Sequence, residues 1–137
     1  MTTPLWVLLG FAMWTIFMVL HIGFYRWKAV FTGTVPKGGF PSDVPPEDGR
    51  YRRAMQAHRN CVENLAVFGA IVVVLTVQGL DTQTLDTLAL VVIGARILQS
   101  MTHLHREQRR PVVLVRFTFF SLQLGAMIWM GAIAWLG

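Results

Sequence analysis

Four long apolar runs decide what this chain can become. They extend from Pro4 to Val30, from Cys61 to Val77, from Thr84 to His105 and from Pro111 to Leu136. The hydrocarbon core of a bilayer, about 30 Å thick, takes about 20 helical residues. Only 14% of the 137 residues are charged, where a soluble domain carries about a quarter. The sequence therefore predicts one all-α membrane domain, a four-transmembrane-helix bundle filling the whole chain. The first run is not expected to be a cleaved signal, because it lacks a basic leader and runs into Tyr25-Arg26-Trp27-Lys28 instead of a small-residue cleavage site.

Punctuation between the runs sets the expected boundaries. The first helix spans Pro4 to Val30, with Trp6 at one end and Tyr25 and Trp27 at the other as interfacial aromatics. A loop rich in glycine and proline follows to residue 46. Pro45-Pro46-Glu47-Asp48 suits a helix start, with proline in the first turn and acids on the positive end of the helix dipole. The second helix then runs from Glu47 to Gln78, longer than a membrane is thick, so its first turns stand beyond the lipid. Gly79-Leu80-Asp81 makes a short turn, the third helix spans Thr84 to His105, and Pro111 opens a fourth that ends at Leu136.

Basic residues orient the bundle. Arg26, Lys28, Lys37, Arg50, Arg52 and Arg53 flank the first loop, and Arg106, Arg109 and Arg110 fill the third. The N-terminus, the turn at 79–83 and the C-terminus hold none. By the positive-inside rule both basic loops are expected in the cytoplasm and both termini on the opposite side. Because these cations sit beside membrane spans, the basic composition reads as topology signals and anion-binding groups, and nucleic acid is not an expected partner.

The other three arginines, Arg59, Arg96 and Arg116, fall within or at the edge of spans, together with Glu63. Arg52, Gln56, Arg59, Asn60 and Glu63 recur at i, i+4, i+7, i+8 and i+11, one stripe of the second helix. An ion facing hydrocarbon costs several kcal/mol, on the order of 3 at the helix centre on insertion scales, so this stripe must face protein or water. All four charges are expected at similar depth in the cytoplasmic half. Arginine forks suit carboxylates and phosphates, and Glu63 with Asn60 adds an acceptor and an amide, so a zwitterion with extra carboxylates fits the set. The plainer reading pairs Arg59 with Glu63 and leaves the other arginines to backbone or lipid headgroups.

Arg53-x-x-x-Ala57-His58-Arg59-Asn60-x-x-Glu63 resembles the signature of the MAPEG family, the membrane-associated proteins in eicosanoid and glutathione metabolism. The likeness extends over the chain in size, span number, glycine- and proline-rich first loop, long second helix, Arg96 and Pro111. It implies a homotrimer with glutathione as co-substrate between protomers near the cytoplasmic face, no metal, and a hydrophobic electrophile or lipid hydroperoxide arriving from the membrane. It implies further that Arg59, Asn60 and Glu63, flanked by Arg52 and Gln56, hold glutathione, with Glu63 on its ammonium. Arg96 would support the site, and His103 would stand where several members place a tyrosine. Where some members carry a thiolate-stabilising arginine two residues beyond the fourth-span proline, this chain has Val113, leaving Arg110 and Arg116 as substitutes. A helix-I arginine used by the prostaglandin synthase is also displaced, with Phe24 in its place and Arg26 nearby.

Three functions compete: a glutathione transferase or peroxidase, a non-catalytic lipid-binding scaffold of the same fold, and a small multidrug transporter. The arginines disfavour the last by making the cavity hostile to cations. Lesser features carry bland expectations. Cys61, the sole cysteine, reads as a small buried hydrophobe, His21 as a packed, hydrogen-bonded histidine, and Gln123 as interhelical glue. His103 and His105 do not share a face for a metal, and Gly69, Gly94, Gly125 and Gly131 are expected to let helices approach closely.

Overall fold

The computed structural model describes residues 1–35, 39, 49–105 and 110–137, and of Arg50, Arg110 and residues 103–105 the backbone alone. It contains four helices, α1 (Thr3–Thr32), α2 (Gly49–Val77), α3 (Gln83–His105) and α4 (Arg110–Leu136), all of them long and apolar enough to cross a membrane. The helix start expected at Pro46 or Glu47 and the loop cation Lys37 lie outside the described residues, as do Arg106 and Arg109.

Local chemistry sets the visible helix ends. Gly33 takes the left-handed conformation, φ 70°, that a side chain resists; beyond it the Thr34 amide donates to Ala29 O at 2.9 Å and closes α1. Gly79, also at φ 70°, does the same for α2, with Leu80 N donating to Leu75 O at 3.0 Å. The Thr82 hydroxyl accepts from Leu85 N at 3.3 Å and caps α3, while Asp86 lies in its first turn. Pro111 stands in the first turn of α4, where its missing N–H costs nothing.

The core is a line of interdigitated apolar side chains. Val7, Phe11 and Met18 of α1 meet Phe68, Val72 and Leu75 of α2, Leu85, Ala89 and Val92 of α3, and Ala126, Met127 and Met130 of α4. Phe11 stacks on Phe68 with ring centroids 5.9 Å apart. Outside this line the helices stay apolar: Leu20, Phe24, Leu90, Phe117, Ile128 and Trp129 are all more than half exposed. A soluble protein seldom shows so continuous an apolar surface; here it is the surface that faces lipid, and the chain is an integral multi-pass membrane protein. Trp6 and Trp27, expected at the two interfaces, are exposed toward opposite ends of α1.

Helices α2 and α3 form the central diagonal. Each touches the other and both outer helices, while α1 and α4 do not meet among the described residues. Gln78 Nε2 donates to Ala134 O at 2.7 Å, pinning the end of α2 to the end of α4. At the other end Arg26 Nε donates to the Tyr51 hydroxyl at 2.8 Å, tying the end of α1 to the start of α2. The termini and the 78–82 turn therefore share one end of the bundle, and the end of α1 and the start of α2 lie at the other.

Glycine spacing proved a poor guide to close packing. A Cβ on Gly69 would lie 3.5 Å from Leu8 Cδ1 and one on Gly131 3.8 Å from Ile71 Cδ1, but Gly94 and Gly125 have open space. Only the first two sit at a helix contact within the protomer. The apolar period could not separate them, because the residues around all four are largely apolar on every side of the helix.

Candidate functional site

A polar seam crosses the middle of the bundle from α2 through α3 to α4. Its centre is Arg96, which is 0% exposed. Its Nη1 donates to Asn60 Oδ1 at 3.0 Å and, less closely, to Asn60 O at 3.4 Å. Nη2 donates to Gln99 Oε1 at 2.6 Å. That same oxygen accepts from Gln123 Nε2 at 2.7 Å, and Gln123 Nε2 also reaches Phe119 O at 3.1 Å. Asn64 Nδ2 donates to both oxygens of Asn60, at 2.6 and 2.8 Å. Cys61 Sγ and Ser100 Oγ lie 3.4 Å apart beside this seam.

The chemistry of the seam is that of a buried cation held by neutral amides. Removing a guanidinium from water is costly, and the cost is met here by short, charge-assisted hydrogen bonds. Arg96 Nε and Gln123 Oε1 have no partner among the described residues, so Gln99 Oε1 is the acceptor through which α3 and α4 are joined. Gln123 does join helices, as its polar character in an apolar span predicted, and Cys61 is buried, though its sulfur lies beside a hydroxyl.

The stripe of α2 divides into two parts. Arg52, Gln56, Arg59 and Glu63 are all exposed and lie on the side of α2 away from Ala54, Ala57, Cys61 and Phe68, which are fully buried. Asn60, about 100° around the helix from Arg59, turns into the bundle to meet Arg96 and Asn64. Within one protomer these charges divide: Arg96 is enclosed, and Arg59 and Glu63 face outward. Periodicity placed Asn60 with Arg59 because at about 100° per residue neighbouring stripe positions blur; the hydrogen bonds of Arg96 separate them.

Arg116 lies half-buried on α4, seven residues before Gln123 in sequence and so about 10 Å nearer the 106–109 connection. The side chains of Arg110 and His103 are outside the described residues; their backbones begin α4 and approach the end of α3. Val113 is exposed on α4. His21, expected to be packed, is half-buried, donates from Nδ1 to Phe17 O over 3.0 Å and meets the Phe17 ring edge-on.

Sequence reasoning overlooked Gln99 and Ser100, and it gave no role to Asn64, a visible polar residue at the mouth of the second span. The signal was present: Asn64 stands four residues after Asn60, and Gln99 three after Arg96, spacings that place side chains together on a helix.

A scan against family models matches the MAPEG family over residues 4–136, nearly the whole chain. The chain belongs to the MAPEG family. No curated protein and no solved structure matches it. Membership points to glutathione or eicosanoid metabolism, in a family that includes glutathione transferases, peroxidases and non-catalytic members. On this MAPEG chain the charged groups fall into an outward set on α2 and an inward seam around Arg96, and each set poses a different chemical question.

Proposed function

We propose that the protein is a glutathione-dependent membrane enzyme that transfers glutathione to hydrophobic electrophiles or uses it to reduce lipid hydroperoxides. The observation that carries this reading is the outward stripe. Arg52, Gln56, Arg59 and Glu63 lie exposed along one side of α2; Arg52 and Gln56 stand in its first turns, toward the membrane surface, and a lone protomer would turn Arg59 and Glu63 toward hydrocarbon at a cost of several kcal/mol. A second and third protomer around α2 remove that cost and create a cleft between subunits, and the homotrimer is part of the proposal.

In that cleft arginine forks would take the carboxylates of glutathione and Glu63 its ammonium. Asn60, held by Arg96, contributes its position more than a free amide. The glutathione sulfur would lie toward α4, where Arg116 or Arg110 supplies the positive charge that favours the thiolate. The thiolate then attacks the electrophile, forming a carbon–sulfur bond as the leaving group departs or the carbon protonates. In the peroxidase variant two glutathiones give their disulfide while the hydroperoxide becomes alcohol and water. On this reading the basic connections face the cytoplasm, as the positive-inside rule expects, where glutathione is abundant, and the apolar substrate enters from the bilayer.

One observation favours a second reading, a lipid-binding scaffold without catalysis: exposed Val113 supplies no cation where some members have arginine. Both readings are separated by titrating glutathione into the detergent-purified protein and following thiolate absorbance near neutral pH. A saturable signal lost in Arg59→Ala supports the enzyme, binding without thiolate supports the scaffold, and no binding removes the enzyme while leaving the lipid-binding scaffold.

A further inference from the structure

The seam has a consequence for the outward stripe. In lipid, the apolar faces of a helix are nearly equivalent, so hydrophobic burial specifies rotation weakly and polar contacts between helices specify it strongly. In its first half the inward side of α2 is mostly small: Ala54, Ala57 and Cys61 are fully buried there, and none of them resists a turn of the helix by shape. Beside the Arg26–Tyr51 bond at the helix start and the weak Cys61–Ser100 contact, Asn60 is the residue of this half held most firmly by direction. Its oxygen accepts from Asn64 and from Arg96 at once, which fixes the amide plane against α3.

Arg96 is itself fixed from behind. Its Nη2 meets Gln99 Oε1, which Gln123 Nε2 holds from α4, while Gln123 leans on its own backbone at Phe119 O. Gln99 is 2% exposed and Gln123 0%, so neither competes with water. The relay runs from α4 to α3 to α2 and ends one residue from Arg59.

We propose that Gln99 and Gln123 are positioning residues: through Arg96 and Asn60 they hold α2 in the rotation that presents Arg52, Gln56, Arg59 and Glu63 on its outer side. The consequence for glutathione rests on the function proposed above; the rotation itself does not. Loss of Gln99 removes the acceptor shared by Arg96 and Gln123, freeing the guanidinium to leave Asn60. Loss of Gln123 leaves that acceptor in place but loose, a smaller effect in the same direction.

Cys61 provides a readout independent of function. It is the sole cysteine, fully buried against Ser100 of α3, so a turn of α2 uncovers it. The test compares full-length wild type with Gln99→Leu, Gln123→Leu and Asn60→Leu in nanodiscs. Gln78→Leu, which breaks the α2–α4 contact at the far end of the bundle, controls for general loss of stability. The labelling rate of Cys61 with N-ethylmaleimide is expected to rise about tenfold in Gln99→Leu, less in Gln123→Leu, and not in Gln78→Leu. Glutathione affinity should weaken about tenfold in Gln99→Leu, and the Asn60→Leu/Gln99→Leu double variant should bind no worse than Asn60→Leu alone, as a shared path requires. Unchanged labelling in Gln99→Leu overturns the rotation, and raised labelling with unchanged affinity overturns the positioning role. Effects equalled by Gln78→Leu reduce the seam to ordinary stability and likewise overturn the proposal. If wild type binds no glutathione, the proposed function fails, while the labelling rates still decide the rotation.

Discussion

Arg96 of α3 and Asn60 of α2 are joined by a hydrogen bond of 3.0 Å in the interior of the bundle. The donor carries a full charge and the acceptor is neutral, so the two ends of this contact are unequal. Asn60→Leu leaves a buried guanidinium short of an acceptor, and an unsatisfied charged group costs about 3 kcal/mol or more. Arg96→Met removes the charge together with its demand, and the oxygens it leaves retain other donors, Asn64 Nδ2 at Asn60 and Gln123 Nε2 at Gln99. Thermal unfolding in detergent should therefore rank Asn60→Leu as the more damaging change, by about 1–2 kcal/mol. The reverse order would show that Arg96 contributes packing that its charge does not explain.

Cys61 is a structural residue on this reading. Its sulfur lies against Ser100 on the inward side of α2, away from the outward stripe. Cys61→Ser keeps a group able to bond Ser100 and should retain glutathione-dependent turnover within about twofold, with a stability change below about 1 kcal/mol. Turnover abolished in Cys61→Ser, with the protein still folded, would place a thiol in the chemistry and remove the need for glutathione as the nucleophile.

Much of this architecture was legible in the residues. Long apolar runs separated by Gly79, Pro111 and a glycine- and proline-rich segment define four helices because a membrane helix must satisfy its backbone alone. The charged stripe of α2 was equally visible, since polar groups stand out in an apolar run. Direction was not. Asn60 and Arg59 are neighbours in sequence, and only the partner on α3 decides which of them turns inward. Gln99 and Ser100 escaped notice for the opposite reason: neutral polar residues in a span draw little attention beside arginine, although the arginine depends on them.

The glycines give a test of which surfaces are used. Gly69 faces the tip of Leu8 at van der Waals distance, so the added atoms of Gly69→Leu must push the Leu8 side chain aside and should cost about 1–3 kcal/mol. Gly94 has open space within the protomer, and Gly94→Ala removes a helix-interior glycine that costs about 1 kcal/mol relative to alanine. It should raise the unfolding temperature. Should Gly94→Ala lower it instead, a surface outside the protomer must cover that glycine, and α3 would be placed at a subunit contact.

The division of labour between α2 and α4 leads to a kinetic test. If Glu63 binds the ammonium of glutathione, Glu63→Gln should raise KM for glutathione about tenfold or more while leaving kcat within a few-fold, because the contact exists before and during reaction. Arg116, if it faces the sulfur, acts on the ionisation of the thiol and on charge in the transition state. Arg116→Ala should then lower kcat by about tenfold to a hundredfold with KM for glutathione nearly unchanged. The sign of the pH effect is fixed: a nearby cation favours the thiolate, so its removal raises the thiol pKa and moves the rise of kcat to higher pH. Arg116→Lys, which retains the charge, should recover most of the wild-type profile. A profile unmoved in Arg116→Ala would assign the thiolate to Arg110 instead, and the same measurement on Arg110→Ala would then carry the shift. Should neither variant move it, arginine on α4 has no part in activating the sulfur, and the enzymatic reading loses its chemical step.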